Sequence, residues 1–372
     1  MVWVPRVLAV YVGRVFLVST VSVLAGLIAI GALFDVIELT RRAAGRPDVP
    51  FGRLVEITAL KLPFMAIEIL PFAVLIGGLV AFWRLTRSSE LIVARAAGVS
   101  AWQFLAAPVA AGALLGLVAI TAVSPVSAIF SARAERLDSV LLRGGAGTLG
   151  LAGGGLWVKQ RDDALARGGA AILHGERIAA VGPDRLTLER VSVFRLGPDD
   201  RFLARIEADR AVLEAQRWRL ERAATVGAER IGPREETITL ATDLTVQRLQ
   251  EGLAPPDTLS FWALPGFVSM LEEAGFSAQR HRLRFNALLA LPLLAGTMVL
   301  VAAGFAMRPS RRGGVGFMIG AGVAAGFTLF ALTKVVGEFG VSGTLPVALA
   351  AWTPTGVGLM LAVAMLLHLE DG

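Results

Sequence analysis

Apolar residues fall into six long runs: Val15 to Phe34, Ile57 to Trp83, Phe104 to Val123, Phe285 to Met307, Val315 to Val336 and Val347 to Leu367. Each has about the length that crosses a bilayer as a helix, roughly 20 residues. The first run is preceded by Arg6 and Arg14 and is too long for the core of a cleaved signal peptide, so it reads as a span. Pro63 and Pro71, with Lys61 and Glu68, interrupt the second run, which predicts a kinked helix turned toward protein or a cavity rather than bulk lipid. Between the third and fourth runs the pattern changes. From Ser131 to about Leu259 short alternating segments replace the long ones: Leu156–Lys159, Leu186–Glu189, Val191–Leu196, Ala211–Leu213, Trp218–Leu220 and Thr237–Leu240. Separated by Gly, Pro and Asp turns, they predict an all-β domain outside the membrane. The fold class is an α-helical membrane protein of three plus three transmembrane helices with a β domain inserted. Its parts are residues 1–130, 131–259 and 260–372, the last opening on a helix from Ser260 to Gly275.

The stretch from Trp83 to Trp102 breaks this rhythm. Ser88 or Ser89 can cap a short helix, Glu90 suits its first turn, and Gly98 suits its stop, giving an amphipathic helix at about residues 86–98. It is too charged to span and lies between two spans, so it rests on one membrane face. Leu91, Val93 and Ala94 beside Glu90 and Arg95 form a face suited to a groove on a partner; otherwise it is a solvated loop helix.

Composition agrees with the pattern. The chain has 372 residues, is 55% hydrophobic and only 18% charged, with mean hydropathy +0.65, far above a soluble protein of this length. Its net charge of +6 is spread over loops and flanks, which points to anionic lipid rather than nucleic acid. With no cysteine, thiol chemistry and disulfides are excluded. The three lysines, Lys61, Lys159 and Lys334, lie in no phosphate-loop motif, and glycine-rich Gly144–Gly155 has no helix start of that spacing behind it; it reads as a flexible lead-in. The three histidines are far apart, so no metal site is expected. No enzyme motif is present, and any ATP and Mg would be held by another subunit.

A cytoplasmic N-terminus puts Arg6, Arg14, Arg84, Arg87, Arg95, Arg308, Arg311 and Arg312 inside and the β domain outside. That leaves Arg41, Arg42, Arg46, Arg53, Arg133, Arg136, Arg280, Arg282 and Arg284 on the outer side, either as charges that translocation tolerates and that snorkel to the interface, or as guanidinium forks for lipid phosphates.

The layout resembles the LptF/LptG lipopolysaccharide-export permeases. The resemblance covers nearly the whole chain. It is most specific at Ser89–Gly98, similar to the family's cytoplasmic coupling helix, and at Leu70-Pro71 with Leu75, Gly77 and Leu79. Gly155–Lys159, Trp218–Leu220, Leu259-Ser260 and the short tail resemble the LptG branch more than the LptF branch. The resemblance implies a periplasmic β-jellyroll, a bacterial inner-membrane location, and one permease half of an ATP-binding-cassette exporter. Its partners would be an LptF-like sister permease, an LptB-like ATPase dimer, an LptC-like periplasmic bridge and lipopolysaccharide. The paralogous LptF role, a non-transporting scaffold and a lipid receptor without an ATPase are the competing readings.

On that reading Ser89, Glu90, Leu91, Val93, Arg95 and Gly98 couple to the ATPase. Arg41, Arg42, Arg133 and Arg136, with Lys61 and Phe34, are the lipid-binding candidates. Some relatives carry a lysine near the outer end of span 1, where this chain has Asp35 and Glu38. Phe317, Phe327 and Phe330 are either gate residues or plain packing on the fifth span. Trp157, Phe194, Ile206 and Trp218 either line an acyl-chain groove in the β domain or fill its core.

Overall fold

The computed structural model describes residues 6–44, 49–142, 149–152, 155–162, 169–181, 184–198, 201–227, 231–242, 244–246, 249, 255–273, 276–307 and 315–370. The side chains of Ile92, Arg95 and Phe317 are outside what it describes, as is the basic turn with Arg308, Arg311 and Arg312. The chain forms two compact units: Met1–Ala134, Ser260–Pro265 and Gln279–Gly372 make a helical unit, while Glu135–Leu259 and Gly266–Ala278 make a β unit.

Among the described residues, six helices are long and apolar enough to cross a membrane. They are α1 (Arg6–Ala43), α2 (Phe51–Arg87), α4 (Ala101–Val118) continuing into α5 (Ser124–Leu141), α7 (Gln279–Ala306), α8 (Val315–Val341) and α9 (Val347–Glu370). The short α3 (Glu90–Ala96) joins α2 to α4. The third span does not close at Ser124-Pro125. A π-helical turn, Ala119–Val123, lies just before the proline; the wider turn accommodates a ring that would clash in a regular helix, and the helix runs on to Leu141. The Ser124 hydroxyl is buried and accepts the Phe261 N–H at 3.0 Å.

Small residues set the packing of the helical unit. α7 is its central element, buried almost continuously from Ala295 to Gly304. A Cβ on Gly77 would lie 2.5 Å from the Thr20 Cα, and one on Gly116 would lie 2.6 Å from the Pro292 Cα. Helices in lipid gain little from burying apolar surface against one another, so close backbone approach supplies the attraction.

The β unit holds seven strands in one antiparallel sheet, ordered β1 (Leu149–Ala152), β2 (Gly155–Arg161), β3 (Ala170–Val181), β4 (Leu186–Leu196), β5 (Phe202–Glu214), β6 (Arg217–Gly227) and β7 (Ile231–Ala241). Each strand pairs with its neighbour in sequence, and among the described residues the sheet does not close into a barrel. Part of the glycine-rich lead-in is thus β1. Arg190 and Arg222 take positive φ of 51° and 54°, and the side chains at the sheet's core change parity there: Leu186 and Leu188 are buried before Arg190, Val191 and Val193 after it. A left-handed residue in β4 and another in β6, on either side of β5, crease the sheet while keeping apolar residues on one face. Gln160 on β2 accepts the Trp218 indole N–H at 3.1 Å and donates to the Ala241 carbonyl at 3.2 Å, so the sheet curls until β2 meets β6 and β7. The predicted Ser260–Gly275 helix begins later, as α6 (Leu264–Glu273); Ser260 caps the preceding turn through the Ala263 N–H.

Candidate functional site

The helical unit presents different chemistry at its two ends. At one end α3 is held between two backbone reversals. Ser89 has φ 61° and Gly98 φ 83°; the Val99 N–H bonds the Ala94 carbonyl at 3.1 Å, closing the helix with a left-handed glycine. The period of so short a helix divides its residues cleanly. Leu91 and Ala94 are buried, whereas Val93 is 66% exposed. Leu91 stands three positions from Ala94 on the inner side of the helix, against its own chain. Glu90 accepts the Ser88 hydroxyl at 2.8 Å and that of Tyr11, the chain's single tyrosine, at 3.3 Å. The next helix opens on a full capping box, Ser100 with Gln103.

At the opposite end, carboxylates are shared between pairs of cations. Glu38 takes Arg41 and Arg42, each at 2.9 Å. Glu56 takes Arg53 at 2.6 Å and Arg133 at 3.1 Å. Glu68 takes Arg284 from α7, with Lys334 from α8 at 3.9 Å. In each of these three clusters two cations share one carboxylate. Lys61 instead forms a balanced pair with Asp35 at 3.1 Å, to which Thr58 also donates at 2.7 Å. The half-buried Lys61–Asp35 pair ties α2 to α1. Phe34 is exposed beside it, and Arg136 is exposed further along α5.

On α8, Phe327 is 65% exposed, whereas Phe330 packs edge-on against Phe72 of α2 at 5.2 Å, with the Lys334 ammonium 5.4 Å from its ring. Phe327 is the more exposed of this pair. The outer faces of α1 and α8 are both lined with exposed apolar side chains, among them Val18, Val21, Leu33, Val335 and Phe339.

The four β-unit candidates divide between the two faces of the sheet. Ile206 and Trp218 are buried on the inner face. Trp157, stacked on His174 at 4.0 Å, and Phe194, under the Arg205 guanidinium at 5.1 Å, lie on the outer face. Outside any span, Glu189 is held below its ordinary carboxylate value by the Arg177 guanidinium, which bonds it.

The sequence pattern of the family described as "Lipopolysaccharide export system permease LptF/LptG" matches residues 10–368. The chain belongs to this family. It is similar to the lipopolysaccharide export system permease protein LptG of Haemophilus influenzae, 23% identical over 93% of this chain and 94% of that protein. It is likewise 23% identical to LptG of Escherichia coli, over 96% of this chain and 97% of that one. The match spans both units of this permease, so the inserted β unit is part of what is shared. The expected order of three spans, β domain and three spans is the one observed.

Sequence reasoning missed several parts of the two ends. Tyr11 carried no local signal, since its partner lies 79 residues away. Glu38 and Glu56 were overlooked as the groups that order the arginines, although Glu38 stands at the i,i+3 and i,i+4 spacings from Arg41 and Arg42 that mark helical ion pairs.

Proposed function

We propose that this permease is the LptG-type half of an exporter that draws lipopolysaccharide from the outer leaflet of the inner membrane and passes it to a periplasmic bridge. A separate ATPase dimer would supply the energy at the α3 end, and an LptF-like sister would pair with it. The observation that carries this reading is the contrast between the ends: an exposed Val93 on a rigidly terminated two-turn helix at one, and cation-excess clusters at the other. An apolar side chain exposed on so short and fixed an element is suited to a pocket on a partner. Excess guanidinium charge is suited to glycolipid phosphates. The exposed faces of α1 and α8 would meet the sister permease and form the lateral path for lipid. The positive-inside pattern supports a cytoplasmic α3 end and a periplasmic β unit.

Val93→Asp tests the coupling end. Co-purification of the ATPase is expected to drop sharply while co-purification of the sister permease is kept. Undiminished ATPase association would remove the coupling assignment and favour a receptor that works without a motor.

A further inference from the structure

The inner face of the β unit is not an empty groove. Besides strand residues such as Leu173, Ile206 and Trp218, its buried cluster contains Leu271, Phe276 and Ala278, with Phe267 and Val268 packed against it. These five residues belong to α6 and the segment that follows it, and they reach the sheet from outside its strand order. The helix is one-sided: Phe267, Val268 and Leu271 turn inward at i, i+1 and i+4, while Gly266, Ser269, Met270 and Glu272 are exposed.

We propose that α6 is a displaceable plug, filling the curled sheet with its own apolar side chains until the acyl chains of the cargo lipid take their place. Three features suit it to that role. At ten residues α6 is too short to hold helical form without the surface it covers. The sheet is unclosed, so the interior can be entered without breaking strand pairing. The exchange replaces one set of aliphatic and aromatic contacts with another, and burial of apolar surface is indifferent to which hydrocarbon supplies it. The plug rests on the exporter reading.

The test uses the assembled exporter in vesicles with lipopolysaccharide. A benzophenone-bearing phenylalanine replacing Phe267 keeps an aromatic ring at the contact. Without ATP it is expected to capture its own β unit; with ATP it is expected to capture lipopolysaccharide, and the internal product is expected to fall by about threefold. Because the chain lacks cysteine, Met270→Cys on the exposed side of α6 can carry a single nitroxide without disturbing the packing, and its mobility is expected to rise during turnover. Lipopolysaccharide export with both signals unchanged would overturn the plug and leave the exporter reading in place. Failure of lipopolysaccharide to leave the vesicles with ATP would overturn the exporter reading and the plug with it.

Discussion

The two units fill their interiors by opposite means. In the β unit the largest buried side chain, Trp218, shares one buried cluster with Leu156, Leu173 and Leu220, the packing of a domain stabilised by removing apolar area from water. In the helical unit the decisive positions are glycines, where neighbouring backbones come so close that no side chain fits. Lipid gives no reward for hiding a leucine, so close fit replaces burial. One unit should therefore tolerate gain of volume poorly, and the other loss of it.

Substitutions at the two cores should break that contrast from both sides. Trp218→Ala is expected to cost about 3–5 kcal/mol and to leave Gln160 without its indole partner; chemical unfolding of the full chain followed by protease sensitivity of the β unit measures it. Gly77→Val adds volume against the Thr20 backbone and is expected to cost about 1–3 kcal/mol, read as early unfolding of the helical unit in a detergent titration. Gly98→Ala forces a left-handed position onto a residue with a Cβ, about 1 kcal/mol, and is expected to loosen α3 while leaving both cores intact, seen as faster amide exchange at Val99.

The smallest effect concerns charge. Arg177 lowers the folded-state pKa of Glu189 from its ordinary 4.5. That pairing therefore contributes stability above pH 4.5, and the contribution is lost as pH falls through the lowered value. Glu189→Gln should remove that contribution, lowering the β unit's melting temperature slightly above pH 4.5, leaving the acid end nearly unchanged and so flattening the slope between them.

Much of this architecture was legible in the chain. Hydrophobic run length gave six spans, and alternation gave the β unit, because both signals are local. Gly98 announced the end of α3 for the same reason. Alternation also contained more than was taken from it. Leu156 and Val158 flank Trp157, and Val193 precedes Phe194, so a period of two already sets Trp157 and Phe194 on the face away from the core. The continuation past Ser124-Pro125 was hidden because a proline signals a helix end unless a π turn absorbs it. The Arg284–Glu68 pair spans 216 residues and follows from no local pattern.

On the proposed exporter reading, one helical unit divides its labour between its ends. This division is tested most directly by measuring ATP hydrolysis and lipopolysaccharide release together in vesicles containing the assembled exporter. Val93→Asp should depress both in step, whereas Arg41→Glu combined with Arg133→Glu should depress release and spare hydrolysis. If the rim variant stops hydrolysis as completely as it stops release, or if Val93→Asp leaves release intact, the division of labour is wrong.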